Sequence, residues 1–183
     1  MKEQLKLGNQ LCFPLYACAK EVVRRYTPLL APLGLTYTQY IAMMVMWEHK
    51  TLTVKRLGEL LYLDSGTLTP LLKKMERAGW VSRQRSATDE RVVVVSITES
   101  GEALREQAAE VPLKMAQCVG LEADDAKQLY KLLNKLLKTF TISAIGAEKS
   151  RKISFEVAAN KLTAGEKNFK LVIDTNKSCT EYD

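Results

Sequence analysis

The sequence predicts a mainly α-helical chain with a small β-hairpin, α+β in class. Three observations carry this. Apolar residues recur at helical spacing through most of residues 10–140. Side chains suited to capping, Thr36, Thr53, Asp64 or Ser65, and Thr98, stand just ahead of those stretches. Within that span the period drops to two only in "WVSRQRS" and "RVVVVSI", on either side of the polar turn "ATDE".

The first helix is expected over about residues 10–30. Leu11, Leu15, Cys18 and Val22 share a face, and Pro28 marks the end. Pro14 fits only in a first turn, so Cys12 lies in or just before that turn. "LTYTQYIAMMVMWEH" is a second helix capped by Thr36, with His49 at its surface end, and "TVKRLGELLYL" a short third capped by Thr53. "DSGTLTPLLKKMERAGW" is a fourth, ending at Gly79; Pro70 places its start near Thr67–Thr69. After the hairpin, Thr98 restarts a helix through "EALREQAAEVPLKMAQCV", kinked at Pro112. "LEADDAKQLYKLLNKLLKTF" is a last amphipathic helix with the stripe Leu129, Leu132, Leu133, Leu136, Leu137 and Phe140. Residues 141–183 form an appendage, either a β-hairpin from "KISFEVAAN" and "NFKLVID" or a partly disordered tail.

With 183 residues, 46% of them hydrophobic, the chain can bury a core without a disulfide framework. Its longest apolar run, "IAMMVMW", is far short of a membrane span, and the polar opening "MKEQLKLGNQ" is unlike a signal peptide. A cytoplasmic protein with reduced thiols is expected. The net charge is +6, and residues 141–183, with 7 basic and 6 acidic residues, leave +5 on residues 1–140. A basic chain suggests an acidic partner, of which nucleic acid is the commonest.

Short helices followed by a basic hairpin form a winged helix-turn-helix arrangement, with a helical dimerisation region around it. Ser65, Gly66, Thr67 and Thr69 are small and polar. They let the fourth helix approach a groove and bond to base edges or phosphates. Lys73 and Lys74 suit phosphates. Arg83, Arg85 and Arg91 on the wing suit the negative minor groove. The amphipathic first, fifth and sixth segments need a partner. A two-fold homodimer supplies one and matches a pseudo-palindromic double-stranded DNA operator.

The stretch "LTVKRLGELLYLDSGTLTPLLKKMERAGWVSRQRSATDERVVVVSITESG" resembles the DNA-binding lobe of MarR-family repressors. "NQLCFPLYACAKEVVRRYTPLLAPLGLTYTQY" resembles their organic-hydroperoxide-sensing branch, the OhrR proteins. The resemblance covers residues 8 to about 140. It implies a domain over 1–140 with its DNA-binding lobe at about 50–98, and leaves 141–183 outside. It implies a peroxide-sensing cysteine at Cys12, with Tyr26 and Tyr37 hydrogen-bonding to the sulfur. It implies a wing in which Asp89 holds Arg91 for the minor groove, and a helix that reads and grips DNA through Thr67, Thr69 and Lys73. It places a resolving thiol from the partner subunit at Cys118. Pro14 departs from the expected helix former.

The chemistry at Cys12 also follows from its position. The thiolate is the species that reacts with peroxide, and free amides at a helix start favour it. Phenol hydroxyls do the same by hydrogen bonding. Leu11 and Phe13 suit an apolar oxidant. Cys18 reads as a small core residue, and Cys179 has no assignable role. No cysteine pair has metal-ligand spacing, and no cofactor motif or catalytic set of nucleophile and base occurs, so an enzyme is not expected. The expected function is a dimeric repressor that organic hydroperoxide releases from its operator through Cys12. The alternatives are a MarR-type repressor released by a small anionic or aromatic ligand and, of a different class, a thiol peroxidase.

Overall fold

The computed structural model describes residues 2–145; the two alternating stretches of the tail, and Cys179, lie outside the described residues. The order is α1 (Cys12–Leu30), α2 (Tyr37–His49), β1 (Thr51–Thr53), α3 (Val54–Leu61), α4 (Ser65–Arg77), β2 (Val81–Arg85), β3 (Val93–Ile97), α5 (Glu99–Ala108), α6 (Val111–Val119) and α7 (Ala123–Ile145). The chain divides into two units, Met1–Gly120 and another from Leu121 onward.

The helix starts follow from local capping. Thr36 and Gln39 form a reciprocal box: the Gln39 amide donates to Thr36 Oγ1 at 3.3 Å and the Thr36 amide to Gln39 Oε1 at 2.8 Å. Thr53 Oγ1 accepts from the Arg56 amide at 3.1 Å, and Thr98 Oγ1 from the Gly101 amide at 3.1 Å. Leu30, Met43, Met46, Leu57, Leu68, Leu72, Met75, Val81 and Val95 are fully buried and form the core of the first unit. Gly101 lets α5 close onto the hairpin, because a Cβ there would run into the Trp80 carbonyl.

Four expectations are corrected. Pro28 does not end α1; it sits inside the last turn, and the helix continues to Leu30 before a short 3-10 turn. The expected start of α4 near Thr67 moves back to Ser65, because Asp64 caps the helix there. Pro70 therefore lies in the second turn, and its missing N–H removes the bond to the Gly66 carbonyl. At Pro112 the long helix breaks rather than kinks, into α5 and α6, with the proline in the first turn of α6. The hairpin is joined by a third strand, giving the antiparallel order β1-β3-β2. β1 pairs Thr51 with Ser96 and Thr53 with Val94.

The second unit contributes α7, which presents Leu129, Tyr130, Leu132, Leu133, Leu137 and Phe140 as exposed apolar side chains. Among the described residues no single helix is long and apolar enough to cross a membrane.

Candidate redox centre and nucleic-acid interface

Cys12 is the first residue of α1. Leu11 before it is already helical, with φ −59° and ψ −35°, and no side chain caps the helix. The thiol is free and exposed. Around it along the chain, Leu11, Phe13 and Tyr16 are exposed by 71%, 42% and 63%, so the sulfur stands on an open apolar surface. Cys118, in the last turn of α6, is also free and exposed. Cys18 is exposed too, which corrects its reading as a core residue. His49 ends α2 at the surface, 3.8 Å from Glu48. Among the described residues no three His, Cys, Asp or Glu side chains are grouped as metal ligands.

Tyr26 and Tyr37 are brought together, with ring centroids 4.9 Å apart, and Tyr40 lies 5.8 Å from Tyr26. Burial raises the pKa of Tyr26 and of Tyr40, with the neighbouring phenols adding to it, which keeps both hydroxyls as donors. They do not meet Cys12 of their own chain. Cys12 and Tyr26 lie on the same helix fourteen residues apart, about 21 Å along its axis. The sulfur and the phenols expected to serve it are therefore at opposite ends of α1.

On α4, Leu68, Leu72 and Met75 face the core, while Ser65, Gly66, Thr67, Thr69, Lys73 and Lys74 are exposed. Asp64 fixes the start: its Oδ1 accepts from the Thr67 amide at 2.9 Å and its Oδ2 from the Thr67 hydroxyl at 2.9 Å. The Thr67 amide, and then its hydroxyl, hold the Asp64 carboxyl below its ordinary range. The Thr69 hydroxyl donates to the Ser65 carbonyl at 2.7 Å. Arg77, four residues beyond Lys73, is exposed on the same helix; the sequence reading misses it, although the helical repeat from Lys73 points to it.

The wing loop runs from Ser86 to Val92 and is closed by the Ser86 amide donating to the Val92 carbonyl at 2.8 Å. Inside it, Asp89 Oδ1 accepts from the Arg91 amide at 3.0 Å and from Arg91 Nε at 3.1 Å. The Arg91 side chain remains 91% exposed, so it is held in direction yet open to a partner. Arg91 keeps the Asp89 carboxyl below its ordinary range. Arg85 is exposed, with Nη1 donating to the Glu90 carbonyl at 3.2 Å. Arg83 differs from the other two. Its Nη2 meets Glu76 Oε2 at 2.6 Å and its Nε the same oxygen at 3.0 Å, so its charge is spent on α4.

Comparison with known proteins agrees with this geometry. Residues 24–108 match the family model for the transcriptional regulator SarA/Rot. The chain is 50% identical over 137 residues to the organic hydroperoxide resistance transcriptional regulator of Bacillus subtilis strain 168, covering 75% of this chain and 93% of the relative. AbfR of Staphylococcus epidermidis is similar in structure. The structure of reduced AbfR bound to DNA matches with a TM-score of 0.64 and 34% identity, over 76% of this chain and 98% of that one. That of disulfide-formed AbfR matches with a TM-score of 0.54 and 33% identity, over 76% and 95%. The chain belongs to the organic-hydroperoxide-resistance branch of the MarR family of winged-helix transcriptional regulators.

Proposed function

We propose that this chain is a cytoplasmic homodimeric repressor that holds a pseudo-palindromic operator while Cys12 is reduced and releases it once an organic hydroperoxide oxidises Cys12. The observation that carries the reading is the position of the sulfur. Cys12 opens α1 on an exposed apolar surface, and the paired Tyr26 and Tyr37 lie a helix length away. A two-fold partner that sets its α1 against this one, head to tail, would bring its tyrosines to this sulfur, so the centre is complete only in the dimer. The exposed apolar residues of α1 and α6 in the first unit, and separately those of α7 in the second, are what such a dimer would cover.

The chemistry is short. The Cys12 thiolate attacks the distal oxygen of the hydroperoxide, the O–O bond breaks, and the alkoxide takes a proton to leave as an alcohol. Cys12 becomes a sulfenic acid. A second thiol then displaces water and forms a disulfide. Cys118 is our candidate for that thiol, supplied by the partner. The disulfide form of AbfR supports a thiol switch over a ligand-released repressor or a peroxidase.

For DNA, Ser65, Gly66, Thr67 and Thr69 at the start of α4 would enter the major groove, and Lys73 and Lys74 would meet phosphates. Arg91, aimed by Asp89, would enter the minor groove with Arg85 beside it. Arg83 would serve by fixing the wing to α4. Intact-mass measurement after one equivalent of cumene hydroperoxide tests the switch: oxygen gain or disulfide formation at Cys12 supports it, and an unmodified Cys12 contradicts it.

A further inference from the structure

The turn between α3 and α4 holds a residue in a conformation that side chains rarely adopt. Tyr62 has φ 55° and ψ 40°, the left-handed region that favours glycine or asparagine after a helix. The turn itself needs no side chain. The amides of Tyr62 and Leu63 both donate to the Gly58 carbonyl, and a glycine at position 62 would close the same bonds. Nor does the ring support the core, since Tyr62 is 64% exposed. A large side chain thus occupies a strained site and stands in solvent. Such outliers collect at functional positions.

The place of Tyr62 suggests what it meets. In a helix-turn-helix the second helix enters the major groove by its N-terminus, and the first crosses the sugar–phosphate backbone. The turn joining them therefore lies over the rim of the groove. Tyr62 is three residues before Ser65, the first residue of α4. Exposed Lys55 precedes it on α3, and exposed Lys73 and Lys74 follow on α4, while the nearby Glu59 is taken up by Arg56 at 3.0 Å. A tyrosine hydroxyl is a regular donor to phosphate oxygens.

We propose that Tyr62 is a DNA-contacting residue whose hydroxyl donates to a backbone phosphate at the edge of the major groove and so fixes the register of α4. This rests on the DNA-binding reading above. It adds a contact that is blind to base sequence.

The test uses the full chain, a duplex selected by the wild-type protein from a random library, and a random-sequence duplex of equal length. Affinity at fixed salt and Tm are measured for wild type, Tyr62→Phe and Tyr62→Gly. Both variants are expected to bind both duplexes about tenfold more weakly, with the ratio between duplexes unchanged. The Tm of Tyr62→Gly is expected to equal or exceed wild type, since glycine relieves the left-handed strain. Wild-type affinity in Tyr62→Phe, or a large Tm loss in Tyr62→Gly, would overturn the assignment. If the wild-type chain selects no duplex, the DNA-binding reading falls and this one with it. If it selects one that Tyr62→Phe binds equally well, only this one falls.

Discussion

Arg83 of the wing is clamped to Glu76 of α4, with Nη2 and Nε at 2.6 and 3.0 Å from one carboxylate oxygen and the Arg83 amide at 3.2 Å from the other. The arginine side chain is 23% exposed, so the pair is partly shielded from solvent. It sets the position of β2, and with it the wing loop, against the helix that would enter the groove. Glu76→Gln keeps the shape but loses the charge. We expect it to weaken operator binding severalfold while leaving dimerisation intact, as measured by gel shift and sedimentation. If Glu76→Gln binds like wild type, the clamp does not position the wing.

At the tip, Arg91→Ala should lower operator affinity by on the order of 1–3 kcal/mol. Asp89→Ala should act in the same direction, by freeing a guanidinium that Asp89 now holds through both carboxylate oxygens. Unchanged affinity in both, at fixed salt, would remove the wing from DNA recognition.

Lys73→Ala should weaken binding alike on all sequences. The slope of log affinity against log salt should become shallower by roughly one, since a single phosphate is no longer neutralised. A change in sequence preference instead would mean that Lys73 reads bases.

Much of this was legible from the sequence because it is local. Thr36, Thr53, Asp64 and Thr98 announce their helices through bonds to amides three residues on. The hairpin shows in its period, and Asp89 and Arg91 are two residues apart. What could not be read depends on distant partners. β1 is three residues long and exists through its pairing with β3, more than forty residues away. Arg83 looks like Arg85 by composition; only the packing of β2 against α4 turns it onto Glu76. At the start of α4, Pro70 points to a later first turn than the Asp64 cap does, and the cap prevails. The separation of Cys12 from Tyr26 follows from helical rise alone and could be read from their numbers.

Acid should loosen the fold through its paired carboxylates. Asp64, Glu76 and Asp89 are held below their ordinary range, and Glu21 is lowered to about 2 by Arg24 and Arg25. A depressed folded pKa contributes stability above the unfolded value, and that contribution is lost as pH falls through the folded one. Tm should therefore fall as pH drops below about 4. Asp64→Asn, which keeps an N-cap acceptor without the charge, should flatten that fall. Asp64→Ala should lower Tm at neutral pH as well. An equally steep acid transition in Asp64→Asn would exclude Asp64 as a contributor.

The cross-dimer centre can be tested by mixing subunits. Homodimers of the double variant Tyr26→Phe, Tyr37→Phe should oxidise more slowly than wild type, having lost two donors to the thiolate. A heterodimer of that chain with Cys12→Ser pairs its one Cys12 with intact tyrosines from the other subunit, so it should react at the wild-type rate per thiol. A slow heterodimer would put the tyrosines to work within their own chain or nowhere.

The Cys12 switch is decided by operator binding of Cys12→Ser, before and after one equivalent of cumene hydroperoxide. Serine keeps the size of cysteine and cannot form a sulfenic acid. The variant is expected to bind the wild-type-selected duplex as tightly as wild type and to keep it after peroxide, while wild type lets go. Release of Cys12→Ser by the same peroxide would contradict it.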